Sequence, residues 1–159
     1  MNLTVFPLTH DTKDVILSYQ IPTTHKRHDF TITGRPVGYY SKAEKGFRGM
    51  SREQRERVRH YYQYTALVRT FAAQAGIETP LRCTKGSTVL VFTTAYFENG
   101  VHCDPENVRK GIVDALFYTP KGSPLRKGSS DKYCYGAFDA PLYDADKPRV
   151  EVVIFQEEK

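Results

Sequence analysis

Cysteine is sparse and unpatterned in this chain. Of 159 residues only Cys83, Cys103 and Cys134 are cysteines, and none forms a Cys-x-x-Cys pair. An odd number without ligand spacing argues against a disulfide-stapled scaffold or a zinc ribbon and suits a reducing compartment, so a cytoplasmic location is expected. Long apolar runs are missing too: no stretch reaches eighteen apolar residues, so no membrane span and no membrane partner are expected. Met1 to His10 has neither a basic start nor a long apolar core, which is not the pattern of a secretory leader. Tryptophan is absent, and eleven Tyr and nine Phe supply all the aromatic content. There is no internal repeat, no Gly-x-Ser-x-Gly elbow and no phosphate-loop glycine pattern. What is left is one domain spanning 1-159, with 40% hydrophobic residues to build one core.

Charge, by contrast, is plentiful and uneven. The net formal charge is +5. Residues 21 to 85 hold thirteen Lys or Arg against five acids, a balance of +8, which leaves −3 for the remainder. A basic block beside an acidic remainder points to a polyanionic partner and a separate carboxylate site.

Patterning along the chain predicts strands at Leu3 to Leu8 and Val15 to Ile21, the second ended by Pro22. Residues 23 to 50 are polar, basic and Gly-rich and predict a long mobile loop. Within it Lys26, Arg27, Arg35, Lys42, Lys45 and Arg48, with Tyr39 and Tyr40, suit a phosphate-contacting arm. Ser51 with Gln54 three residues later makes a capping box. Val58, Tyr61 or Tyr62, Thr65, Val68, Ala72 and Ala75 then recur at helical spacing, and Gly76 is the expected stop. Thr88 to Tyr96 predicts a strand and Asp104 to Pro120 a shorter helix. Residues 119 to 148 predict another long loop, and Val150 to Phe155 a closing strand. The order implies an α/β fold: two layers, a small mixed β-sheet with helices packed on it.

The stretch that carries chemistry is His102-Cys103-Asp104-Pro105-Glu106-Asn107-Val108-Arg109-Lys110-Gly111-Ile112-Val113-Asp114-Ala115-Leu116. Asp104 is placed as an N-cap, with Pro105 at N1, where its missing N–H costs nothing. Glu106 falls in the first turn, where the helix dipole favours a carboxylate. Glu106, Lys110 and Asp114 share one polar stripe at i, i+4 and i+8. The same spacing also describes an ordinary surface ladder of ion pairs. Hard oxygen donors at a strand-to-helix junction suit Mg2+, with Mn2+ as the alternative. His102 and Cys103 have no second His/Cys pair at zinc spacing.

In these residues the chain resembles the RusA family of Holliday junction resolvases. That family carries two acids separated by one residue, then Asn, a Lys three residues on, and Asp-Ala-Leu. Here those are Asp104, Glu106, Asn107, Lys110 and Asp114-Ala115-Leu116. A third acid follows after a loop; Asp131 matches best, with Asp139, Asp144 and Asp146 competing for the place. The specific likeness covers about residues 102 to 154. Three features depart from it: Glu106 stands where the best-known member has Asp, Ser130 precedes Asp131 where a second Asp is common, and the strand at Leu3 to Leu8 has no counterpart. The resemblance implies a single RusA-like nuclease domain working as a homodimer that nicks a four-way junction symmetrically. Asp104, Glu106 and Asp131 would hold the metal, Lys110 would contact the scissile phosphate, and Asn107 and Asp114 would support them. A nuclease for flaps or other branched DNA, and a non-catalytic nucleic-acid-binding module on the same fold, compete with this reading.

Overall fold

The computed structural model describes residues 7–8, 19–41, 43, 47–119 and 131–158. Among the described residues, six strands and two long helices occur in the order β1 (Pro7–Leu8), β2 (His25–Thr33), α1 (Arg52–Gln74), β3 (Val89–Phe97), α2 (Pro105–Phe117), β4 (Cys134–Asp139), β5 (Leu142–Tyr143) and β6 (Arg149–Glu157). The sheet runs β1-β4-β3-β6-β2, with β5 pairing the far end of β3. It is mixed: β1, β4 and β3 are parallel, while β6 is antiparallel to both β3 and β2. The expected small α/β fold with a mixed sheet is therefore present.

The two sheet faces differ because strand side chains alternate. Val89, Val91, Ala95 and Phe97 of β3, with Val150, Val152 and Ile154 of β6, face one way. They form the main core with Val68 and Ala72 of α1 and Val108, Ile112 and Leu116 of α2. The opposite face holds a smaller cluster of Leu90, Phe92, Ala137, Val153 and Phe155, against which Tyr19 and Ile21 pack.

Helix α1 begins and ends as its sequence predicts. The Ser51 hydroxyl accepts from the Gln54 amide and the Gln54 side chain accepts from the Ser51 amide, closing a full capping box. Gly76 has a φ of +81°, and the Gly76 and Ile77 amides donate to the Ala73 and Ala72 carbonyls. That is a Schellman ending, which a residue with a Cβ would strain. Val58, Tyr61, Tyr64, Thr65, Val68 and Ala72 make the buried stripe.

Three expectations are corrected. Residues 25–33, expected within a long loop, form the nine-residue strand β2. Only Phe30 and Ile32 of β2 are buried, so half a face at a sheet edge hides a strand among charged residues. Residues 131–139, also expected in a loop, form a 3-10 turn and β4. This strand is defined by its parallel pairing with β3 rather than by its own composition. Tyr19, Gln20 and Ile21 are not strand; the rest of the predicted strand Val15 to Ile21, and most of that at Leu3 to Leu8, lie outside the described residues.

Candidate active site

Helix α2 leaves the carboxyl end of β3 after a short loop and starts at Pro105. Asp104 occupies the N-cap position with an extended backbone, and its carbonyl accepts from the Val108 amide. Its carboxylate makes no capping hydrogen bond, contrary to the sequence expectation. Asp104 and Glu106 are both exposed, so two carboxylates stand in solvent at a helix N-terminus. The apolar face beneath them, with Val108, Ile112, Ala115 and Leu116 buried, fixes the helix on the sheet.

The polar stripe of α2 is held by tyrosines. The Lys110 ammonium lies 4.1 Å from the centre of the Tyr39 ring, and the Tyr61 hydroxyl donates to Asp114 at 3.2 Å. Burial, then the Asp114 charge and hydrogen bond, push the Tyr61 hydroxyl far above the ordinary phenol range. Tyr61 therefore stays protonated and remains a donor, and Asp114 is oriented from α1. Asn107 is bound through its backbone: its carbonyl accepts from the Tyr39 amide at 2.9 Å.

Arg109 is the residue at this site that sequence reading passed over. Its Nε donates to the Val91 carbonyl of β3 at 3.1 Å. Burial lowers its pKa from that of a free guanidinium, while Cys134, Tyr19, Glu106 and Asp131 oppose the shift. Glu106, from the start of α2, and Asp131, from the turn before β4, thus act on the same half-buried cation. The loop at residues 37–40 was also missed as part of the site. A Cβ on Gly38 would lie 3.1 Å from the Cys103 Cβ and 3.4 Å from the Asn107 Cβ, and one on Gly111 would lie 3.4 Å from the Tyr39 nitrogen. Two glycines at this crossing were the signal available in the sequence, because they permit close approach of backbone.

Asp131 is exposed. Its competitors differ: Asp139 is buried on β4 and accepts from the Thr94 hydroxyl, and Asp144 pairs with Arg149 at 2.8 Å, which holds its carboxyl below the usual range. Asp146 is exposed on the loop before β6. Among the described residues no three His, Cys, Asp or Glu side chains stand together as a metal cluster.

Among known proteins, no family model and no curated protein matches the chain.

The expected phosphate-contacting residues are spread out. Lys26 and Arg27 lie on β2, paired with Glu158 and Asp29. Arg35 follows β2 and pairs with Glu98 at 2.6 Å. Arg48 is exposed, and Lys42 and Lys45 lie outside the described residues. A second basic surface runs along α1, where Arg52, Arg55, Arg57 and Arg59 are all exposed. His102 is taken up structurally, stacked on Phe97 at 3.8 Å with its Nε2 3.0 Å from the Tyr143 hydroxyl. No described helix is long and apolar enough to cross a membrane.

Proposed function

We propose that the chain is a Mg2+-dependent endodeoxyribonuclease of the RusA type that cuts branched DNA, with the four-way junction as its substrate. The observation that carries this reading is the start of α2. Two exposed carboxylates, Asp104 and Glu106, precede Lys110 by six and four residues, and the charges of Glu106 and Asp131 both act on Arg109.

The donor set fits magnesium, or manganese, in a particular way. Oxygen ligands suit a hard cation, and magnesium keeps several waters while taking one or two carboxylates and substrate phosphate. That requires no closed cage of three side chains. Asp104 and Glu106 would hold the ion, with Asp131 as the third ligand. Bound there, the ion supplies charge to the phosphodiester and lowers the pKa of water. The chain's own part is positioning. Lys110 contacts the scissile phosphate from the turn after Glu106, Asn107 orients a ligand or water, and Tyr61 fixes Asp114 behind them. The arginines of α1 and the basic residues of β2 and its following loop bind the arms of the junction.

A homodimer follows from the product: paired nicks on strands of like polarity call for two sites related by a two-fold axis. Helix α1 itself adds little to this. Tyr61 and Tyr64 are buried within the subunit, leaving Tyr62 and Leu67 as the exposed large residues of α1.

The deciding experiment uses a synthetic four-way junction beside duplex and flap controls, with and without magnesium, for the parent chain and Asp104→Asn. Symmetric, magnesium-dependent nicking that is lost in the variant, with junction binding in EDTA preserved, is expected. Parent-level cleavage by Asp104→Asn sinks the assigned role. Binding without cleavage leaves the module, and single nicks in flaps leave the flap nuclease.

A further inference from the structure

We infer that the cleft between residues 37–40 and the start of α1 is a nucleobase subsite, taking a base unstacked from the strand at the branch point. This rests on the nuclease reading. The cleft has a volume of about 540 Å³ and is lined by Tyr39, Tyr40, Glu56, Arg57, His60 and Asn107 among others. That lies within the usual range of about 300–1,000 Å³ for small-ligand pockets.

Its position ties it to the cleavage centre. Asn107 is the next residue after Glu106, and the Tyr39 ring on the cleft wall is the one over which Lys110 sits. A nucleotide with its phosphate at Lys110 therefore has its base within reach of this wall.

The lining is mostly planar. Arg57 lies over the Tyr40 ring at 4.5 Å, and Tyr39 packs edge-on against Tyr61 at 5.9 Å. Tyrosine rings, an imidazole and a guanidinium all offer faces on which a base stacks, whatever its sequence. Charge then separates base from backbone. Glu53 offsets Arg57 in the cleft and Glu56 is paired with Arg52 at 3.3 Å, so no surplus of positive charge draws a phosphate in, whereas Arg55 and Arg59 on the exposed side of α1 can take one. Carboxylates accept hydrogen bonds from exocyclic amino groups, so adenine, cytosine and guanine are favoured over thymine, which has none.

The test uses the full chain in calcium, which holds the complex without turnover, and four-way junctions carrying 2-aminopurine at one branch-point position at a time. Saturating protein should raise the fluorescence of at least one position about twofold or more, as a base leaves its stack. Tyr40→Leu should abolish the rise and weaken junction affinity about tenfold. Arg57→Ala, on the exposed helix surface, serves should Tyr40→Leu fail to fold; it should reduce the rise in a protein of unchanged melting temperature. A junction bound tightly with no rise at any position overturns the subsite and leaves the nuclease reading standing. So does a rise that Arg57→Ala leaves intact. A chain that binds no DNA overturns both.

Discussion

Replacing Gly136 by alanine presses a methyl group into the neighbouring strand. Gly136 has a φ of +136°, and a Cβ built there lies 1.9 Å from the Val91 oxygen and 2.7 Å from the Val91 carbon. Both partners are backbone in register across the parallel pair of β3 and β4, so no side chain can swing aside. The strained dihedral costs about 1–3 kcal/mol, and overpacking adds about 1–3 kcal/mol. Together these give about 2–6 kcal/mol, and at about 2–4 °C per kcal/mol for a domain of this size, Tm should fall by roughly 4–24 °C. The damage also reaches the candidate site, because the displaced Val91 carbonyl is the one that accepts from Arg109. Thermal melts followed by circular dichroism, with a urea titration alongside, measure the loss. Gly86→Ala is the control: nothing lies within 4 Å of its Cβ position, and a surface change of this kind stays within about 0.5 kcal/mol. A Gly136→Ala protein melting within about 2 °C of the parent refutes the clash.

Lys110→Ala should lower turnover on a four-way junction more than tenfold with little change in Tm, since losing the contact with Tyr39 costs about 0.5–1 kcal/mol; a near-normal rate in a single-turnover assay sinks its assigned role. Junction affinity should fall steeply with salt: if about six to ten basic side chains neutralise phosphates, the loss between 50 and 200 mM is about 10³–10⁵, and a flat profile by fluorescence anisotropy points to another partner. The thiols should react slowly at pH 8 in the native protein and rapidly in denaturant, because burial raises Cys83 and Cys103 and pushes Cys134 up to about 12. A raised folded pKa means stability that is complete below the unfolded value near 9 and is lost as pH climbs towards 12. The urea midpoint should therefore decline across that window, with the buried hydroxyls of Tyr61 and Tyr64 acting in the same direction; a flat or rising midpoint contradicts this.

Helices were legible where local chemistry closes on itself. The Ser51–Gln54 box, the Gly76 ending and the apolar face of α2 each lie within a few residues, so sequence spacing alone locates them. Strands β3 and β6 were legible as β-branched runs. Strand β2 was not, since only Phe30 and Ile32 of its nine residues are buried and its remaining pattern is charge. Strand β4 was hidden because six residues containing Gly136 become a strand only when β3 and β1 lie beside them. The candidate site divides the same way. Asp104, Glu106 and Lys110 fall within the first two turns of one helix and could be read directly. Tyr39 meets Asn107, and Arg109 meets Val91, across long sequence separations that no local spacing records.

The sheet order also sets when the protein can fold. Pro7 pairs with Phe138, His25 with Glu157, and β3 only with β4, β5 and β6. Every strand pair in the described sheet therefore uses a partner that follows Tyr133 in the chain. As the chain leaves a ribosome, β1, β2 and β3 emerge without neighbours, and α1 and α2 are the elements whose hydrogen bonds close locally. Such non-local pairing makes for slow folding and leaves apolar strands uncovered while the chain is incomplete. A break just before Cys134 would remove β4, β5 and β6 together and take apart the whole sheet rather than one edge of it.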